Sequence, residues 1–289
     1  MKCEAIHENR TLFSVARMCK VLGVSEAVYY EWIRSEQRRA ERRARDRGLI
    51  DAVTRIFRES RETYGCRKVR AALAEEGVIV SEYKVRKVMR ENGLYPILQK
   101  KWKPYRKGKS DGMFSENVVQ RKFNPEGMNC VWVGDITYIA TSLGWVYLAA
   151  VIDLYNREVV GYQLGRNIDA ELAMNAMGNA LALRGPHEGL VFHSDRGVQY
   201  SSKKYRKLLE DNGVTASMSA PGCPYDNSCM ESFFASLKKE LIYRKKYSTM
   251  EEVETDIFEY IEMFYNRKRL HSTLGYVSPV TYRLRHQAA

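Results

Sequence analysis

From residue 125 onward the chain reads as three β-type runs in succession, then as alternating helix and strand. The runs are 131–141, 144–154 and 158–165, the first two joined through Ser142 and Leu143 as a hairpin. An apolar helix follows at 170–184, capped by Asp169, and then a short buried strand at 190–195. A helix at 202–212 ended by Gly213, a strand at 215–219 and a helix from about 227 to 241 continue the series. This order predicts a mixed α/β layer. The pattern Ser248-x-x-Glu251 is a capping box that opens one more helix, with Val253, Ile257, Tyr260, Ile261 and Phe264 as its stripe.

Three acids stand where the pattern does not call for them. Asp135 falls in mid-strand, on the face that carries Val131, Val133, Thr137 and Ile139. A carboxylate among such neighbours needs a partner, and a metal ion is one that suffices; the alternative is a strand-edge Asp facing water. Asp195 ends the short strand, before Arg196-Gly197, where ligands gather in parallel α/β layers; the plain alternative is a turn Asp. Glu231 shares a helix stripe with Asn227 and Lys238, so an amide, a carboxylate and an ammonium face the same way; a surface Glu is the competing reading. Three carboxylates from three elements can hold two divalent ions, which activate a nucleophile and stabilise the leaving oxygen of an in-line phosphoryl displacement. Carboxylate oxygens suit Mg²⁺, with Mn²⁺ as a substitute.

The front of the chain points to a polyanion. The net charge is +12, and it is not spread evenly. Residues 1–125 hold 29 basic and 16 acidic groups, a surplus of 13, whereas residues 126–289 hold 18 and 19. A basic front half on a near-neutral body suits DNA or RNA. Residues 14–34 read as two short helices around Gly23, capped by Ser14 and Ser25, the shape of a helix-turn-helix. Residues 34–47, with seven Arg and three acids, read as a charged helix or connector. A second helical group fills 49–95. In its last helix, capped by Ser81, Val85, Val88 and Met89 form the buried stripe and Lys84, Lys87 and Arg90 a basic stripe suited to lie against DNA. Residues 97–110 hold six Lys or Arg, among them Lys100, Lys101 and Lys103, interleaved with Trp102 and Tyr105: a segment that can track a phosphate backbone and link the two halves. The expected division is therefore 1–48, 49–95, a basic linker at 96–123, and a core with C-terminal helix and basic tail at 124–285.

Other features exclude function classes. Six cysteines include no C-x-x-C pair and have irregular spacing, which argues against a zinc finger and against a disulfide scaffold. No apolar run has the length of a membrane span, and the first residues carry no secretion-signal pattern, so a soluble cytoplasmic protein with no membrane partner is expected.

These residues resemble the DDE transposases and retroviral integrases, and more narrowly the downstream-frame (OrfB) product of the IS-three family of bacterial insertion sequences. The resemblance runs through Thr63-Tyr64-Gly65-Cys66-Arg67-Lys68, Trp132-Val133-Gly134-Asp135-Ile136-Thr137-Tyr138, His193-Ser194-Asp195-Arg196-Gly197, Asp226-Asn227 to Glu231, Tyr265-Asn266-Arg267 and Arg269-Leu270-His271. The family's triad falls on Asp135, Asp195 and Glu231, with 35 residues between the last two, and its basic residue seven after the Glu falls on Lys238. The resemblance implies an RNase H-like catalytic core behind small all-α helix-turn-helix-like DNA-binding modules. It also implies Mg²⁺-dependent cleavage and strand transfer at terminal inverted repeats, joining them to target DNA. It further implies double-stranded DNA as partner, a homo-oligomer on that DNA, and an upstream-frame OrfA protein that completes DNA binding. In this reading Lys238 contacts phosphate near the cut, and Asn227 orients the loop or the DNA. Arg267 and His271 are candidate DNA contacts in a basic tail. Asp153 reads as a turn Asp before a site neighbour, and His193 as a core histidine at least as well as a supporting one. The alternatives are a DNA-binding regulator without catalysis, an RNase H-type nuclease acting on RNA–DNA hybrids, and a scaffold.

Overall fold

The computed structural model describes residues 1–97, 115, 125–185, 187–219 and 227–287. Lys100, Lys101 and Lys103 lie outside the described residues. The chain divides into two compact units, Met1–Glu59 with Val69–Tyr95, and Ser60–Lys68 with Pro96–Ala289.

The first unit is helical: α1 (Lys2–Glu8), α2 (Val15–Leu22), α3 (Glu26–Glu59), α4 (Cys66–Glu75, most of which lies in it) and α5 (Glu82–Glu91). Ser14 caps α2 by accepting the Arg17 N–H, and Gly23 ends it with φ of 60°. Ile6, Cys19 and Tyr29 are buried among Val15, Met18, Leu22, Trp32 and Ile33, which closes a small core around the turn. The expected second short helix does not stop. It runs on as α3 for 34 residues, through the arginine-rich stretch and across the boundary expected at 48/49. The physical reason is local. Glu31 pairs with Arg34 and Arg38, and Glu36 with Arg39, one turn or two apart, in a stretch of good helix formers with no proline. Leu49, Val53, Ile56 and Phe57 are buried on its second half.

The second unit is built on a five-stranded sheet of β1 (Val131–Thr141), β2 (Gly144–Asp153), β3 (Val159–Gly165), β4 (Val191–Ser194) and β5 (Thr215–Met218). Its order is β3-β2-β1-β4-β5. The first three strands are antiparallel, and β4 and β5 run parallel to β1. Helices α6 (Ala170–Arg184), α7 (Val198–Ser201), α8 (Lys203–Asp211), α9 (Ser228–Glu240), α10 (Met250–Phe258) and α11 (Pro279–Gln287) complete it. Alternate residues of β1 feed two cores. Val133 and Ile139 join α9 and α10, whereas Trp132 joins α6 and α8. Gly161 permits the second packing: a Cβ there would stand 2.3 Å from the Ala176 carbonyl oxygen of α6. The capping box of α10 is displaced by one residue from the expected one. Thr249 Oγ1 accepts the Glu252 N–H, and Glu252 Oε2 accepts the Ser248 N–H. After Phe258 the helix widens into a π-helical segment, Glu259–Tyr265.

On the strand at the edge of the sheet, β3, three carbonyls and one N–H are engaged by side-chain amides. Asn266 both donates to the Val159 carbonyl and accepts its N–H, at 3.0 Å each. Asn179 donates to the Tyr162 carbonyl and Gln163 to that of Leu164, both at 2.9 Å. Three residues after Asn266, Arg269 donates to both oxygens of Glu240, at 2.7 and 2.9 Å, and Tyr260 donates to the same carboxylate at 2.8 Å. Tyr64 reaches this corner. Its phenol donates to the Lys268 carbonyl and accepts the Leu270 N–H. Burial, with Arg269 close by, pushes the Lys68 ammonium down to about 8. No helix among the described residues is long and apolar enough to cross a membrane, and no disulfide joins described cysteines.

Candidate active site

Asp135 sits on β1 at the point where the parallel neighbour ends. The register pairs Val133 with His193 and Gly134 with Ser194, so Asp135 and Asp195 are the residues that directly follow the last pair. Both carboxylates are half-buried. Each has one oxygen fixed by backbone: Asp135 accepts the Ile136 N–H at 2.8 Å, and Asp195 accepts the Gly197 N–H at 2.9 Å. The second bond folds the chain after β4 into a tight turn that leads into α7. Arg196 secures that turn by donating to the Ser219 carbonyl at 2.9 Å.

The core on the Gly134 face of the sheet is aromatic at this end. Phe192, Tyr200 and Tyr205 are buried with ring centres 5.3–5.9 Å apart. Gly134 is required here, because a Cβ would stand 2.5 Å from the Phe192 ring. The Tyr200 phenol is held well above its ordinary pKa, first by burial and then by the negative charges of Asp135 and Asp195. The same hydroxyl thus feels both carboxylates.

Helix α9 starts against the same strand. Asn227, buried just before it, donates to the Gly134 carbonyl at 3.4 Å, while its Oδ1 is buried with no hydrogen-bond partner. Glu231 is half-buried one turn further on, and Lys238 two turns beyond that. The Lys238 ammonium lies 4.2 Å from the centre of the Tyr138 ring. Burial lowers its pKa, and the charge of Asp135 works against that shift.

The structure therefore places Asp135 and Asp195 each one residue past the last paired positions of β1 and β4, and brings Asn227 and Lys238 to β1. It does not assemble a ready cage. Among the described residues no group of three or more His, Cys, Asp or Glu stands close enough together to hold a metal ion. The donors are of the right kind, since carboxylate oxygens are what a hard divalent cation takes. The orphaned Asn227 Oδ1 adds one more oxygen at this end of β1.

Two other residues have structural settings. Asp153 is fully buried, with one oxygen accepting the Asn129 N–H and the other the Tyr155 N–H, each at 2.8 Å; it is a hydrogen-bonded turn residue. His193 is buried between two hydroxyls, Nδ1 at 2.9 Å from Ser217 and Nε2 at 3.2 Å from Ser219.

The expected DNA contacts divide. Lys84, Lys87 and Arg90 form an exposed stripe on α5 opposite Val85, Val88 and Met89. Lys84 is paired with Asp46 at 2.7 Å, and Lys87 lies 3.8 Å from Glu91. Arg267 is exposed. His271 lies edge-on to Tyr265 at 4.9 Å, and burial with Arg269, Lys68 and Arg157 nearby holds its pKa well below the usual imidazole range. A neutral imidazole is a poor phosphate anchor.

Residues 125–224 match the integrase core domain family, residues 231–286 a second integrase core domain family, and residues 43–102 an HTH-like domain. The chain is 36% identical over 279 residues to the transposase InsF for insertion sequence IS3A of Escherichia coli K12, covering 96% of this chain and 97% of that protein. It is 38% identical over 273 residues to the insertion element IS600 uncharacterized 31 kDa protein of Shigella sonnei, covering 94% and 100%. Among solved structures, the HTLV-2 integrase catalytic core domain in complex with magnesium is similar with a TM-score of 0.42 and 13% identity, over 53% of this chain and 95% of that one.

Proposed function

This chain belongs to the IS3 family of insertion-sequence transposases, and from that premise we propose that Asp135, Asp195 and Glu231 are the carboxylates with which it cuts and joins DNA. What supports the reading is that the parallel register of β1 and β4 runs to Gly134 and Ser194, the residues just before Asp135 and Asp195, and that the Tyr200 phenol feels both carboxylates. Carboxylates held near one another repel unless a cation lies between or beside them. Asp135 and Asp195 would hold a divalent cation, Mg²⁺ or Mn²⁺, with Glu231 as the third carboxylate of a two-ion site. When bound, such ions supply charge stabilisation for the attacking and leaving oxygens of an in-line phosphoryl transfer.

The chain's own groups do the positioning. The bond from Gly197 to Asp195 fixes the rotamer of that carboxylate before substrate arrives. Asn227 ties the start of α9 to the backbone beside Asp135, so Glu231 is carried toward that side of the sheet. Lys238 is suited to a phosphate next to the cut. In the first step water attacks a phosphodiester and the strand's 3′ oxygen leaves as a hydroxyl. In the second that hydroxyl attacks target DNA, so one P–O bond forms for each that breaks. The substrate is duplex DNA at the element's inverted repeats, bound by a homo-oligomer in the cytoplasm, with an upstream-frame protein completing DNA recognition.

The test is strand cleavage of a duplex carrying the element's end. Nicking is expected with Mg²⁺ or Mn²⁺ and none with a chelator; nicking that persists in the chelator removes the metal reading. Cleavage of an RNA–DNA hybrid instead would favour the ribonuclease alternative.

A separate expectation concerns α5. Lys87→Ala with Arg90→Ala should weaken DNA binding across sequences and reduce the slope of log affinity against log salt by about 2. A slope unchanged in a titration of affinity against salt would mean that this helix does not face phosphate.

A further inference from the structure

Beyond Asp135 the β1–β2 hairpin carries two large rings that neither core uses. Tyr138 and Trp145 are each 55% exposed. Their ring centres are 5.1 Å apart, and the planes meet at 89°. The register sets Tyr138 opposite Tyr147 and Trp145 opposite Ala140, so the two side chains meet diagonally across one face of the hairpin. This edge-to-face contact fixes both rings while leaving about half of each in water. Lys238 adds an ammonium 4.2 Å from the Tyr138 ring centre. That same ammonium feels the charge of Asp135. A fixed pair of exposed rings with a cation upon one of them thus stands three residues along β1 from Asp135; strand alternation turns Asp135 to the other face, and Lys238, in the field of that carboxylate and against the Tyr138 ring, links the two.

Rings with an adjacent cation are the elements that bind a nucleic-acid strand whose bases are out of the duplex stack. A paired duplex keeps its π-faces covered by neighbouring base pairs, so it meets such a patch only with phosphate and sugar. The scissile phosphate of the proposed reaction lies at Asp135, and the nucleotides beside it are the ones within reach.

We propose that Tyr138 and Trp145 are a stacking platform for an unpaired nucleobase next to the cut, with the adjoining backbone phosphate on Lys238. The proposal deepens the catalytic reading and rests on it for its location. It makes the enzyme a reader of locally opened DNA: the terminal pair, or the flank beside it, is unstacked in the bound state. Trp145 and Tyr138 are then specificity residues for strand opening and do not touch the reacting phosphorus.

The test compares two labelled duplexes of one sequence, one blunt and one with a short single-stranded 3′ tail. Binding is measured by fluorescence anisotropy on the full chain carrying Asp195→Asn. The tailed duplex is expected to bind about tenfold more tightly, as one stacked base contributes. Adding Trp145→Leu, which keeps apolar bulk without a ring, should bring the two affinities together, while Trp145→Phe should keep them apart. A 2-aminopurine in the tail should be quenched by the protein with Trp145 intact and by the Trp145→Phe variant, and not by Trp145→Leu. If Trp145→Leu retains the preference and the quenching, the platform does not exist. If Asp195→Asn itself still cleaves, the catalytic assignment fails, and the binding ratios still decide the platform separately.

Discussion

Asp195→Asn is expected to lower DNA cleavage by on the order of a thousandfold or more, because several kcal/mol of transition-state charge stabilisation depend on that carboxylate. The substitution is nearly isosteric. The Asn oxygen can still accept the Gly197 N–H, so the turn into α7 and the aromatic core should stay as they are. What is removed is one negative charge. DNA affinity should change little in an anisotropy titration, since the exposed basic stripe on α5 is untouched. A nicking assay that finds cleavage retained in this variant would take Asp195 out of the site.

Arg269→Met should cost about 3–5 kcal/mol of stability, the usual effect of breaking one partner out of a buried ion pair. Arg269 and Glu240 are 10% and 9% exposed, and the guanidinium supplies charge-assisted bonds to both carboxylate oxygens. Methionine fills the space and leaves Glu240 with only the Tyr260 hydroxyl. The loss should appear as a melting temperature lower by roughly ten degrees for a unit of this size. The double substitution Arg269→Met with Glu240→Leu should recover much of it. A single variant that melts with the wild type would show that the pair is not desolvated in solution.

Parts of this architecture follow from local rules and are legible in the sequence. The β1 run is rich in Val, Ile, Thr, Tyr and Trp and its limits are those expected, and Asp169 caps α6 where its side chain suggests. The acids at 135 and 195 stand out because each violates a local preference, Asp135 by interrupting a strand and Asp195 by ending one. Other parts depend on information that spacing does not hold. The middle of α3 is supported by pairs of charged side chains and lacks an apolar stripe, so residues 34–47 read equally as a charged helix or a connector. The cap of α10 shifts from Ser248 to Thr249 because two candidate hydroxyls are adjacent, and only packing chooses between them. The neighbourhood of Tyr200, Tyr138 and Trp145 follows from strand register and from the path after β4, and neither is written in the residues themselves. For Glu231, helical periodicity gives the face shared with Asn227 and Lys238 but not the distance from that face to the sheet.

The amide side chains along β3 have a consequence for how this protein behaves when crowded. An edge strand with unclaimed carbonyls and N–H groups is a template on which another molecule can add a strand. Here Asn266, Asn179 and Gln163 already engage the Val159 N–H and the carbonyls of Val159, Tyr162 and Leu164, and the opposite edge, β5, is only four residues long. Copies gathered at high local concentration along one nucleic-acid molecule therefore meet without an easy route to intermolecular sheets, so self-association is left to surfaces other than the sheet margins, and amyloid-like growth is discouraged.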